Sequence, residues 1–180
     1  MGEKLIEKLA DDLSLAHNTE LRGYYFYKAA AELMSDERGR DVFSHLASEE
    51  IDHIRVIKAI ATSLKDGLGW MSYADAIKHG SEDTKEGLPI YQGKNELIEQ
   101  FKSNQSDITA IDIAIDNEEK AVEFYSRLLK EATEPEEKDL LGELLQMEQG
   151  HLKLLQWESD AVKETGFCCD RMEFTVEGEV

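Results

Sequence analysis

The 180 residues include only two cysteines, two prolines and 20 basic side chains, against 39 acidic ones. Cys168 and Cys169 are adjacent, so they build neither a disulfide framework nor a Cys-x-x-Cys metal clip, and read as ordinary thiols of a reducing compartment. The scarcity of proline leaves long uninterrupted helices open. The shortage of basic residues leaves a formal net charge of -19. That charge repels phosphate backbones and anionic lipid, which excludes nucleic acid and membrane surfaces as partners and favours cations. No run approaches the roughly 20 consecutive apolar residues of a membrane span. The start, MGEKLIEKLADDL, is acidic and amphipathic, with no secretory hydrophobic segment and with Ile6 where a myristoylation signal needs Ser or Thr. A cytoplasmic location is the expectation.

What is present is 41% hydrophobic residues, too many for a disordered acidic tail, in a length suited to one domain with one core. Leu9, Leu13, Ala16, Gly23, Tyr27 and Met34 recur at helical spacing and predict an amphipathic helix from about Glu3 to Met34. After a polar break over Ser35 to Gly39, Phe43, Leu46, Ile54, Ile57, Ile60 and Leu64 predict a second helix, ended by Gly67 and Gly69. A weakly patterned crossover follows, about 66 to 105, with short helical pieces at Tyr73 to His79 and Asn95 to Phe101. Ser106 or Asp107 caps a third helix carrying Ile108, Ile111, Ile115, Val122, Tyr125 and Leu129, which stops near Glu134-Pro135. A fourth carries Leu141, Leu144, Leu154 and Leu155 to about Lys163. Residues 1–165 thus form one all-α antiparallel four-helix bundle of two hairpins, and 166–180 a tail with strand-like alternation at Glu173 to Val176.

The two hairpins repeat. A shift of 98 residues places Leu13 on Ile111, Glu20 on Glu118, Phe26-Tyr27 on Phe124-Tyr125, Phe43 on Leu141, Glu50 on Glu148, His53 on His151 and Ile57 on Leu155. Each half holds one Glu followed 30 residues later by a Glu-x-x-His. With 25 glutamates in the chain the bare motif is weak. Two copies that share one offset with their partner glutamates and Phe-Tyr pairs are not.

Helical phase puts all six on the core side. Glu20 lies in the stripe Leu13, Ala16, Gly23, Tyr27, and Glu118 lies between Ile115 and Val122. Glu50 and His53 share the stripe of Phe43, Leu46 and Ile57, as Glu148 and His151 share that of Leu141, Leu144 and Leu155. Four buried carboxylates need a cation, and no Lys or Arg occupies these stripes, which leaves bound metal or shared protons. In each hairpin the two glutamates stand 15 residues either side of the turn, at equal height, about 22 Å from it. Glu and His at i and i+3 share a helix face, so four carboxylates and two imidazoles suit two metal ions. Four negative charges balance two divalent ions, and oxygen and nitrogen donors without thiolate suit iron, manganese or zinc, with iron or manganese favoured.

These residues resemble the ferritin-like di-iron carboxylate superfamily, and specifically its rubrerythrin branch, over about residues 5 to 160. The resemblance implies a four-helix bundle with a long crossover. It implies that Glu20, Glu50, His53, Glu118, Glu148 and His151 are metal ligands, with Glu50 and Glu148 bridging or near both ions. It implies an oxidoreductase reacting with peroxide or dioxygen at a di-iron or mixed iron/manganese centre. An iron-binding, storage or sensing protein without turnover is the alternative. Rubrerythrins proper add a rubredoxin domain with two Cys-x-x-Cys clips, which Cys168-Cys169 does not supply, so an external electron donor is expected. They also tend to carry a further glutamate one turn before the helix-three ligand, where Ile115 stands, so the centre looks like the symmetric one of bacterioferritins. Relatives imply a homodimer.

Tyr27 and Tyr125, two turns beyond Glu20 and Glu118, are candidates to hydrogen-bond a ligand carboxylate or lend an electron, or are core aromatics in need of a partner. Tyr24 is a weaker candidate for approaching the site. His17 reads as a boundary histidine, and His45 and His79 carry no assignment.

Overall fold

The computed structural model describes residues 3–82, 94–164 and 166–167. Its helices are α1 (Glu3–Leu33), α2 (Glu37–Lys65), α3 (Tyr73–Glu82), α4 (Glu96–Ser103), α5 (Asp107–Glu131) and α6 (Pro135–Glu164), with no strand among the described residues. α1 packs most extensively on α2, and α5 on α6, giving the two antiparallel hairpins of a ferritin-like bundle. α3 lies against α2 and α6, and α4 against α1 and α5.

The helix ends are set by capping chemistry. Asp36 accepts from the Arg38 amide and starts α2 three residues earlier than the polar break suggests, because one good N-cap suffices to begin a helix. α2 ends at Lys65 with Gly67 at φ 75° and the Leu68 amide bonded back to the Ser63 carbonyl at 2.9 Å. Ser106 caps α5 through the Thr109 amide. Pro135 opens α6 rather than merely closing α5, and Glu137 accepts from the amides of Thr133 and Glu134. Asn95 caps α4 and also donates to the Arg22 carbonyl at 2.9 Å, tying the crossover to α1.

Two apolar clusters fill the bundle. One gathers Phe26, Tyr27, Phe43, Leu46, Ile111 and Leu155, with Phe101 of α4. The other gathers Val56, Ile60, Tyr125, Leu141 and Leu144, with Ala76 of α3. The inner line of α5 is Ile111, Ala114, Glu118, Ala121 and Tyr125. Ile115 and Val122, expected inside, are half-buried, and Ile108 is exposed, because the narrow seam beside the polar cluster admits small side chains. Of the expected tail, Phe167 is buried in the first cluster, its ring so close over Gly39 that a Cβ there would lie 2.6 Å from it. Cys168, Cys169, Glu173 to Val176 and the crossover glycines Gly87 and Gly93 lie outside the described residues. No helix among the described residues is long and apolar enough to cross a membrane.

Candidate metal centre

All six sequence-selected residues meet between the two apolar clusters, each at most 3% exposed. Their donor atoms fall into two overlapping sets. Glu20, Glu50, His53 and Glu148 form one, and Glu50, Glu118, Glu148 and His151 the other, with the chosen atoms of each set within 4.8 Å of one another. Glu50 and Glu148 belong to both sets. His53 Nδ1 lies 2.9 Å from Glu148 Oε1 and 3.5 Å from Glu20 Oε2. His151 Nδ1 lies 3.5 Å from Glu148 Oε2 and 3.7 Å from Glu118 Oε2. The two imidazoles stack at 5.5 Å between centroids.

Eight buried side-chain nitrogen or oxygen atoms among the described residues lack a hydrogen-bond partner, and seven of them belong to Glu50, His53, Glu118, Glu148 and His151. Native interiors rarely leave such atoms unmatched, so the convergence of six of the seven, all but His53 Nε2, is what a cation site requires. No lysine or arginine among the described residues pairs with any of the six. Without a cation the cluster balances itself with protons. Burial would depress His53, but the Glu148 charge lifts it to about 10. Burial likewise opposes His151, yet contacts with Glu118, Glu148 and Glu49 raise it well above its ordinary value. Glu148 resists burial and stays well below the carboxylate range because His53 and His151 flank it. Burial, then the Glu20 charge, raises Glu50 well above its range, while burial and Glu148 push Glu118 up to about 8.

The tyrosines reach the site in a crossed manner. The Tyr27 hydroxyl donates to Glu118 and the Tyr125 hydroxyl to Glu20, so each clamps the carboxylate of the opposite hairpin instead of the one on its own helix. Burial and the adjacent carboxylate, Glu118 for Tyr27 and Glu20 for Tyr125, raise both phenols well above 10.0, which keeps them as donors. α1 and α5 run antiparallel, bringing position 27 opposite 118 and 125 opposite 20. Spacing along one helix carries no information about that register.

Three further residues shape the centre. Glu49 Oε2 lies 2.6 Å from His151 Nε2, and its other oxygen lies 3.6 Å from His45 Nε2. Although burial would raise Glu49, His151 holds it below its ordinary value. Asn117, buried on α5, donates to the Tyr27 hydroxyl at 3.3 Å and accepts from Arg22 at 3.3 Å. Gly23 makes room for Glu50, since a Cβ there would sit 3.2 Å from Glu50 Oε1. Glu49 and Asn117 left no signal in the repeat, because their mates are Met147 and Thr19.

The other histidines lie apart. His17 is half-buried and lowered by burial and by Lys58, and His79 is exposed on α3. Tyr24 lines an open cleft of about 420 Å³ between α1 and α2, with Lys28, Glu32, Arg40 and Ser44.

A two-hairpin helical bundle with paired Glu-x-x-His helices around one polar core defines the ferritin-like carboxylate class. Within that class the rubrerythrin family model matches residues 11–158, and the chain belongs to the rubrerythrin family. No curated protein and no solved structure matches it.

Proposed function

We propose that the chain holds two iron ions between its hairpins and acts as an oxidoreductase toward hydrogen peroxide or dioxygen. The carrying observation is the convergence of six unsatisfied buried donor atoms, with His53 contributing its Nδ1, in two sets that share Glu50 and Glu148. Glu20 and His53 complete one set, and Glu118 and His151 the other. Oxygen and imidazole donors without thiolate, carrying up to four negative charges, suit two divalent ions of iron, with manganese or zinc as competitors. Bound iron supplies redox chemistry that amino-acid side chains lack.

The chain's own residues do the rest. Tyr27 and Tyr125 hold Glu118 and Glu20 in place through their hydroxyls, and they stand close enough to lend an electron. The apolar clusters on both sides keep bulk water from the carboxylates. Reducing equivalents would come from a donor outside residues 1–180, in which Cys168 and Cys169 form no Cys-x-x-Cys clip. A homodimer is the proposed assembly.

Anaerobic titration of the metal-free protein with ferrous iron, followed by peroxide or dioxygen, tests the reading. Two irons per chain, rapid oxidation and repeated turnover with a supplied reductant are expected. A single stoichiometric oxidation, or iron accumulating far beyond two per chain, would assign the protein to storage. Zinc in the natively purified protein, with Glu50→Ala lowering only thermal stability, would leave a metal-stapled bundle.

A further inference from the structure

The internal repeat makes the two halves of the centre alike in the six inner residues, but not in what stands behind the histidines. His151 turns Nδ1 toward Glu118 and Glu148, and its Nε2 meets Glu49 at 2.6 Å. His45 approaches the other Glu49 oxygen at 3.6 Å. His53 turns Nδ1 toward Glu148, Glu20 and Glu50, but its Nε2 is buried with no hydrogen-bond partner. The residue 98 positions after Glu49 is Met147, whose thioether is at best a weak acceptor.

That difference bears on metal binding. An imidazole that binds a cation through Nδ1 carries its proton on Nε2. A carboxylate accepting that proton fixes the tautomer and the ring angle and makes the bound nitrogen more basic. Where no acceptor exists, the buried N–H stays unsatisfied in the loaded state.

Resting on the dinuclear reading above, we infer that the two metal positions are unequal and fill in order. The position formed by Glu50, Glu118, Glu148 and His151 loads first, and Glu49 is the positioning residue that makes it the tighter one. The position at His53 is the weaker and exchangeable half. Partners behind metal-bound histidines change affinity by about 10- to 100-fold, which sets the expected gap.

The test is anaerobic titration of the metal-free full-length chain with Co²⁺, followed by its visible absorption, with far-ultraviolet circular dichroism as the folding control. The wild type should take two ions in resolved steps, the first about 10- to 100-fold tighter. His53→Ala should keep the tight ion and lose the weak one, and His151→Ala should do the reverse. Glu49→Ala should weaken the first step toward the second, while Glu49→Gln, whose amide oxygen still accepts from Nε2–H, should restore part of the gap. Met147→Glu should narrow the gap from the other side by tightening the second step. Two indistinguishable steps in the wild type, or an unchanged first step in Glu49→Ala, would overturn the ordering and leave two bound ions in place. Failure of the wild type to bind two ions would instead overturn the dinuclear reading, a result visible before any Glu49 variant is made.

Discussion

Loading the centre must expel protons, and their number follows from the cluster. At pH 7 the metal-free protein holds protons on His53 and Glu118, lifted to about 10 and about 8, and on His151, raised well above its ordinary 6.5, while burial and the Glu20 charge raise Glu50 above the usual carboxylate range. Glu148 is held as a carboxylate, well below the usual range, between the two protonated histidines. Two divalent ions bind the deprotonated forms, so filling both positions at pH 7 should release about three protons from these residues. Each costs about 1.4 kcal/mol per pH unit, so the summed affinity should fall by about 4 kcal/mol for each unit of acidification near neutrality. The assay is calorimetric titration with Mn²⁺ in buffers of different protonation enthalpy. The slope of observed heat against buffer enthalpy counts the protons. A slope below two would refute the proton-balanced cluster, and with it the assignment of these residues to the metal.

Four other outcomes are expected. The metal-free protein should melt at lower temperature as pH rises from 6 to 10. His53 is raised above its unfolded 6.5, so its contribution is complete below 6.5 and lost through about 10, and that of Glu118 is lost from 4.5 through about 8. Scanning calorimetry on chelator-treated protein checks this, and a rising melting temperature would contradict it. Glu148→Gln removes a residue of both sets and the counter-charge of two histidines; it should abolish both ions and destabilise the metal-free fold by about 3 kcal/mol, read by metal analysis and urea unfolding. Gly23→Ala should add up to about 1 kcal/mol of helix stability while its Cβ presses Glu50 and weakens metal binding, so stability and affinity move in opposite directions. Gly39→Ala drives a methyl into the Phe167 ring and should cost about 1–3 kcal/mol, less when Phe167 is also Ala. Additive costs in that double variant would show that the contact is not the cause.

The core of the centre was legible because the repeat duplicates it. Each of Glu20, Glu50 and His53 has an identical mate at one offset, and helical phase alone puts it inside. The caps at Ser106 and the glycine stop after α2 were legible for the same local reason. What escaped was whatever breaks the repeat or joins one helix to another. Glu49 looks like any surface acid beside Glu50 until His151 arrives from α6. Asn117 has a threonine for a mate. The stripe of α5 was read one residue off, through Ile115 and Val122, because large apolar side chains dominate a periodicity count while alanines line the seam.

The crossed tyrosines have a consequence for how such a chain can be built. Tyr27 with Glu118 and Tyr125 with Glu20 are one contact made twice, related by exchanging each residue for its repeat mate. That is the self-complementary pattern two identical subunits make about a two-fold axis, with the crossover serving as a tether between them. A lone hairpin would present Glu20 without the tyrosine that clamps it, and Tyr27 without a carboxylate to hold. The smallest unit able to assemble the centre is therefore a pair of hairpins, and a severed chain could regain it only by bringing both halves back together.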